Sequence, residues 1–241
     1  MRRLFLLLAG VRLGKRVKIS RKCSIGAGTE IGYASLIESG TRIGLQVSIG
    51  ENVLIGEGVV IGDGTVLQEG CQIMRNSVIG KNCRMSGKVW VGENCRISRV
   101  EVGENTHIED NVIFTGVGEG RIRIGRESYI GIGTVLDWSD NISIGNFVHI
   151  AGPSTGIWTH TGAPMCLHGI ALAEKGKKYR PTAPVQIEDN VYIGGNCTVY
   201  PGRIVSHHSI VAPNSAVTND VGAFTLWGGV PARKIKDLEI E

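Results

Sequence analysis

Counting in sixes from Leu13, the chain places Ile19, Ile25, Ile31, Ile37, Ile43, Ile49, Ile55, Ile61, Leu67, Ile73, Ile79, Met85, Val91 and Ile97 without a slip, fifteen positions in all. The residue after the aliphatic is Gly at nine of the fifteen, Gly26, Gly32 and Gly62 among them. Four residues after each aliphatic comes Val, Cys, Thr or Ser, from Val17, Cys23 and Thr29 to Val89 and Cys95, until Glu101 breaks the column. A fixed period over this length marks an internal repeat, which is read before any single element.

Strand geometry converts the period into a shape. Alternate residues of a strand share a side, so the aliphatic and the small residue two places before the next aliphatic both face inward. Gly beside the aliphatic allows a bend that a Cβ would hinder. Short strands joined by such bends wind into a prism whose coils stack about 4.8 Å apart. The phase moves once, to Val102 and Ile108, resumes at Ile124, Ile130 and Leu136, then at Ile144 and Ile150, and closes with Ile187, Ile193, Val199, Val205, Val211 and Val217. Such register errors are expected to be insertions that bulge from the prism. Composition agrees: 35 of 241 residues are Gly and aromatics are only 5%, while 42% hydrophobic and 20% charged residues exclude a disordered chain. No apolar run approaches the roughly 20 residues that span a bilayer.

The repeat resembles that of the hexapeptide-repeat acyltransferases, closest to the sugar and polysaccharide O-acetyltransferases, over residues 13–236. The resemblance implies an all-β fold, a left-handed parallel β-helix of three hexads per coil with a long inserted loop and a short C-terminal cap, assembled as a homotrimer. Handedness comes from the family alone, because the general rule for parallel crossovers is right-handed. The expected organisation is a cap segment over residues 1–12, the β-helix over 13–236 with an insertion at 156–184, and a tail at 237–241. The segment RKIKDLEIE at residues 233–241 reads equally as a short strand or helix.

Five of the six cysteines (Cys23, Cys71, Cys83, Cys95 and Cys197) sit in the small inward column and read as buried small hydrophobes. No CxxC spacing points to zinc, and reduced thiols suit a cytoplasmic protein. Cys166, off the repeat, is the one thiol to test for reactivity. Residues 1–11, MRRLFLLLAGV, lack a small-x-small cleavage site and read as an end cap of the solenoid. The first 29 residues carry Arg2, Arg3, Arg12, Lys15, Arg16, Lys18, Arg21 and Lys22 and no acid, +8 against −4 for the remainder of a chain whose net charge is +4. With Leu4–Leu8, that end suits peripheral contact with an anionic membrane, at its inner face, or a solvated basic rim. Nucleic acid is a poor fit, since no aromatics interleave with the basic residues.

A regular prism offers little concavity, so chemistry is expected at an insertion or a subunit seam. Residues 156–184 hold His160 and His168, in a loop long enough to be functional. Acyl transfer from a thioester needs a base near neutrality and a donor for the developing oxyanion. By resemblance, WTHTG (residues 158–162) matches the segment where sugar O-acetyltransferases carry their catalytic His, which makes His160 the general base; His168 reads as a loop residue. Asp137, in LDWSDN, lies one repeat segment earlier and either orients His160 or is a turn aspartate. The last coils, residues 187–236, match the family's C-terminal signature and imply acetyl-CoA along a subunit seam. Gly194 and Gly195 would meet the thioester and pantetheine, with the Gly195 N–H as oxyanion donor. Arg233 and Lys234, in GGVPARK, would approach the nucleotide phosphate. The chain departs from the family's Gly-Ala-Gly-Ser at Ala212-Pro213-Asn214-Ser215, where Pro213 has no N–H to offer pantetheine. Ser206-His207-His208 replaces Gly-Asp-Gly in the neighbouring repeat, and His207 and His208 read as surface residues.

The implied activity is acetyl-CoA-dependent O-acetylation of a sugar or glycan acceptor in polysaccharide biosynthesis, with no metal required. A nucleotide-sugar N-acetyltransferase would use the same base. A serine acetyltransferase is disfavoured, because Leu136-Asp137-Trp138 stands where that enzyme has Leu-Asp-His. A γ-type carbonic anhydrase would need a pair of histidines five apart, whereas His160 and His168 are eight apart and His149 stands alone. A non-catalytic solenoid scaffold would have no use for the loop or the C-terminal signature.

Overall fold

A computed structural model of the chain describes residues 10–171 and 178–239. The expected three-sided column is present. Arg12–Leu13, Lys18–Ile19 and Ser24–Ile25 open three faces, here called A, B and C, and each strand pairs in parallel with the strand one coil later. Among the described residues the faces hold ten, twelve and ten strands. Register is eighteen residues per regular coil, so Ile31, Ile49, Leu67 and Met85 stack directly on face A. These side chains are buried, and each contributes about 1.5–3 kcal/mol by leaving water.

The small inward column contributes a second interaction. Thr29, Ser35, Thr41, Thr65 and Ser77 are fully buried, and their hydroxyls donate to the carbonyls of Gly44, Gly50, Gly56, Gly80 and Gly92 at 2.7–3.0 Å. Each hydroxyl thereby escapes the cost of an unpaired buried polar group and ties one coil to the next. Cys71, Cys83, Cys95 and Cys197 fill the same column; burial pushes the Cys71 and Cys95 thiols up to about 11, which leaves them inert as nucleophiles. Cys23, in the first coils, is only partly covered.

The glycine after each aliphatic has a different cause from the bend expected of it. The left-handed backbone falls two residues later, at Gly40 (φ +72°) and at asparagines such as Asn52 and Asn82, which tolerate that region better than other side chains. The corner glycine is required by the coil stacked on it. A Cβ on Gly62 would lie 2.6 Å from the Gly80 carbonyl carbon.

Three expectations about register need correction. The step from Ile97 to Val102 is one residue short of six: the Ser98–Arg99 turn absorbs the deletion, and Val100–Val102 resumes face A without any bulge. True bulges occur at residues 116–120 and 138–141. The excursion expected at 156–184 begins after Ile157, because Gly156–Ile157 is a strand of face C paired with Val135–Leu136 and Ile157 is buried. Ile157 follows Ile150 by seven residues, so a count of six lands on Gly156 and misses it. At the C-terminus, Arg233–Asp237 is a strand that runs across residue 236 and pairs antiparallel with Thr225–Gly228, covering the open edge of face B. Arg2, Arg3 and Leu4–Leu8, the proposed membrane-facing segment, lie outside the described residues. Among the described residues no helix is long and apolar enough to cross a membrane.

Gly62→Ala is expected to destabilise the column by about 1–3 kcal/mol through overpacking. Gly40→Asn, at a left-handed position with no atom nearer than 3.8 Å to a new Cβ, should stay within about 1 kcal/mol of the parent. Paired thermal melts of the two variants check both.

Candidate functional site

The Val135–Asp137 strand of face C runs into the corner leading to face A, where residues 138–141 swing outward. One coil later Gly156–Ile157 stacks on Val135–Leu136, and the chain reaches the same corner at Thr159 and His160. Asp137 therefore lies beneath His160, with its side chain 1% exposed. Its Oδ2 accepts from the Thr159 N–H at 2.9 Å, the His160 N–H at 3.1 Å and the His160 Nδ1 at 2.6 Å. Its Oδ1 accepts from the Ser139 N–H at 3.1 Å and the Ser139 hydroxyl at 2.6 Å. Burial pushes this carboxyl up, but the hydrogen bonds from Ser139, His160 and Thr159 outweigh it and hold the group below the ordinary aspartate value of 3.8.

An ionised carboxylate only accepts hydrogen bonds, so the network assigns the His160 proton to Nδ1 and leaves a lone pair on Nε2. The Ser139 hydroxyl spends its proton on Asp137 and sits 3.1 Å from the same Nδ1 as a second acceptor. Thr159 closes the set: its hydroxyl donates to the Asp137 carbonyl at 2.6 Å and accepts the Asp140 N–H at 2.8 Å. The result is a partly exposed imidazole, fixed in plane and tautomer, with one basic nitrogen unengaged among the described residues. It is a proton acceptor by construction.

The excursion is fastened beside this ring. Thr161 donates its N–H to the Pro181 carbonyl, Ala183 donates to Thr159, and His160 bridges Thr182 in antiparallel fashion. A short helix, Ala163–Leu167, buries Met165, and the Arg180 Nε lies 3.2 Å from the Met165 sulfur. Cys166 is exposed on this helix. His168 ends it, exposed and edge-on to Tyr179 at 6.2 Å. His149 stacks on the outer surface of face B between Tyr129 and Tyr192, at 4.5 and 5.3 Å, and burial lowers its pKa.

The residues expected along the cofactor gather on the corner from face B to face C. Gly194 and Gly195 turn that corner, and Pro213 lies over Gly194 in the next coil, so close that a Cβ on Gly194 would meet the proline nitrogen at 2.5 Å. The Gly194 N–H is spent on the Val211 carbonyl. The Gly195 N–H donates to no protein acceptor among the described residues. Ala212 donates to Trp227, and Gly228 pairs with Arg233 at the same end of the column. Lys234 is engaged by Asp237 at 2.6 Å. His207 and His208 occupy the corner from face A to face B, their Nδ1 atoms 3.1 Å apart and Phe224 against both rings. Among the described residues no group of three or more His, Cys, Asp or Glu side chains is arranged to hold a metal ion.

Within one protomer, then, Asp137 and His160 meet, Gly194, Gly195, Ala212 and Pro213 share one corner, Arg233 and Lys234 lie on the strand that pairs with Thr225–Gly228, and face C separates His160 from the Gly194 corner. Ser139 and Thr159 were not anticipated. Ser139 had a signal, since Asp-x-Ser is an Asx-turn pattern in which the carboxylate takes the N–H two residues on.

Residues 31–118 match the family model "GMPPB C-terminal domain", and residues 184–219 match "Hexapeptide repeat of succinyl-transferase". The galactoside O-acetyltransferase of Escherichia coli is 31% identical over 137 residues, covering 57% of this chain and 63% of that protein. That of Lactococcus lactis is 29% identical, covering 58% and 66%. The chain thus spans just under two thirds of the length of these curated relatives. Among solved structures, an Arabidopsis UDP-N-acetylglucosamine acyltransferase superimposes with a TM-score of 0.57 at 16% identity, covering 95% of this chain and 70% of that one. Its likeness identifies the fold as the left-handed β-helix.

Asp137 contributes stability above the ordinary aspartate range, and that contribution is lost as pH falls through its lowered folded pKa. The stability gap between the parent and Asp137→Asn should therefore be widest near pH 6 and shrink below about pH 4, as read by denaturant titrations at stepped pH.

Proposed function

We propose that this chain, a member of the hexapeptide-repeat acyltransferase family, transfers an acetyl group from acetyl-CoA to a hydroxyl of a sugar or glycan acceptor, with His160 as general base. The observation that carries the reading is the 2.6 Å contact between His160 Nδ1 and the buried Asp137 carboxylate, which leaves Nε2 as the basic atom. The acceptor hydroxyl gives its proton to Nε2 as its oxygen attacks the thioester carbonyl. The tetrahedral oxyanion then collapses, the carbon–sulfur bond breaks, and the departing thiolate takes the proton back from the imidazolium. Asp137 stays ionised and stabilises the imidazolium, and Ser139 and Thr159 keep it in place.

The oxyanion donor is assigned to the Gly195 N–H, which has no protein acceptor of its own among the described residues. Because Gly195 turns a different corner from His160, the donor that serves one His160 belongs to a neighbouring copy of the chain. This supports a homotrimer with acetyl-CoA held in each seam. Gly194, Ala212, Pro213 and Arg233 would line that groove, and Lys234 would join them on release from Asp237. The galactoside O-acetyltransferase relatives favour a sugar hydroxyl as acceptor.

His160→Ala should lower kcat by about 10²–10⁴ while leaving coenzyme A affinity, measured by calorimetry, within a factor of about two. Asp137→Asn should also lower kcat, because an amide no longer stabilises the imidazolium. Full acetyl transfer by His160→Ala, followed as thiol release with a panel of sugars, would remove the histidine from the chemistry.

A further inference from the structure

The corner that holds Asp137 and His160 also borders a cleft of about 730 Å³, within the size range of small-molecule sites. Ser139 and Thr182 form the wall shared with the catalytic pair, and Arg99, Glu119, Asp140 and Arg180 bring four charges to the rest of the lining. No ion pair joins these charges among the described residues, although two guanidinium groups and two carboxylates share the space. The Asp140 Oδ1 is occupied by the Asn141 N–H at 2.8 Å. Arg99 is held instead by an aromatic ring, its guanidinium carbon 4.7 Å from the centre of Trp138. Arg180 is anchored through Nε to Met165, which leaves its terminal nitrogens available.

Stacking fixes the plane of a guanidinium without using its N–H donors, and a planar fork suits carboxylate or phosphate oxygens. Glu119 and Asp140 can accept sugar hydroxyls from the same cleft. We infer that this cleft is the acceptor subsite and that it selects an anionic sugar, one carrying a carboxylate or a phosphate, through Arg99 and Arg180. The inference rests on the acetyl-transfer reading for its function, but not for its binding chemistry. Arg99 and Arg180 act as specificity determinants, while His160 supplies the base.

Calorimetric titration of the full-length protein with galactose, galacturonate and galactose 1-phosphate tests it without requiring turnover. At least one of the two anionic sugars should bind tenfold or more tightly than galactose, about what one charge-assisted hydrogen bond supplies. Which of the two does so distinguishes a uronic acid from a phosphosugar. Arg99→Gln and Arg180→Gln should each shrink that preference severalfold, with melting temperatures confirming the fold. Should Arg180→Gln unfold through loss of its Met165 contact, Arg99→Gln decides alone. Absence of binding, equal binding of all three sugars, or an unchanged preference in the folded variants overturns the inference. Thiol release separates the two readings. Selective binding of an anionic sugar without acetylation would leave the subsite standing and the transfer reading fallen, and unselective acetylation would do the reverse.

Discussion

The close approach of one coil to the next at each corner is the constraint on which everything else rests. Parallel strands of two residues have little cohesion of their own, and each coil survives because its neighbours complete its hydrogen bonds above and below. Corner glycines permit that contact: Gly62 lies against the Gly80 backbone with no room for a Cβ. Buried hydroxyls then lock the arrangement, each donating to a corner carbonyl that would otherwise be short of a partner. Stability in such a column is local and additive, so a defect in one coil is felt by two others and little beyond. That is why the chain tolerates a deletion at Arg99, bulges at 116–120 and 138–141, and an excursion after Ile157 without losing the stack.

The corner that carries Asp137 and His160 is irregular. Leu136 to Ile157 spans twenty-one residues, three more than a regular coil; two of the three fall between Leu136 and Ile144, where residues 138–141 swing outward beside Asp137, and the third falls at the corner before Ile157. A regular hexad most often has the corner glycine directly after the aliphatic, where Asp137 follows Leu136, and a glycine brings no side chain to the corner. The bulged turn instead aims Ser139 back at the carboxylate, and the return of the excursion through Thr182 pins His160 from the other side. Burying a carboxylate costs several kcal/mol unless it is fully hydrogen-bonded, and Asp137 meets that condition with donors from three residues.

How much of this was legible in the sequence follows from what a period can encode. Ile73 and Ser77 announce their burial because every coil repeats the same environment, so the column was readable from spacing alone. The corner glycines were readable as necessary, but for the wrong reason, because a contact between residues eighteen apart has no local signature. Ile157 was missed because one extra residue at the preceding corner shifts the count. Asp137 and His160 could be placed on neighbouring coils but not in contact, since the outcome depends on how three surplus residues are shared between two bulges. Ser139 and Thr159 fall off the small column, three residues after Leu136 and two after Ile157, and gain their role only from the turns that carry them.

With His160, the proposed base, on one corner and Gly195, the proposed oxyanion donor, on another, a single protomer holds half of two proposed sites and the whole of none. Face C, which separates them, is packed solid with aliphatics, so no rearrangement within a protomer brings Gly195 to His160. Apposition of two copies, as proposed, would bring the two corners together without moving any coil. The N–H of Gly194 is spent on Val211, whereas that of Gly195, like those of Glu51, Asp63 and Lys81 at the equivalent corner position, takes no acceptor from the next coil among the described residues; on the proposed reading it is the one of these that an oxyanion occupies. That same reading has a seam between copies place the thioester oxygen there, so that assembly of the copies would complete the proposed centre.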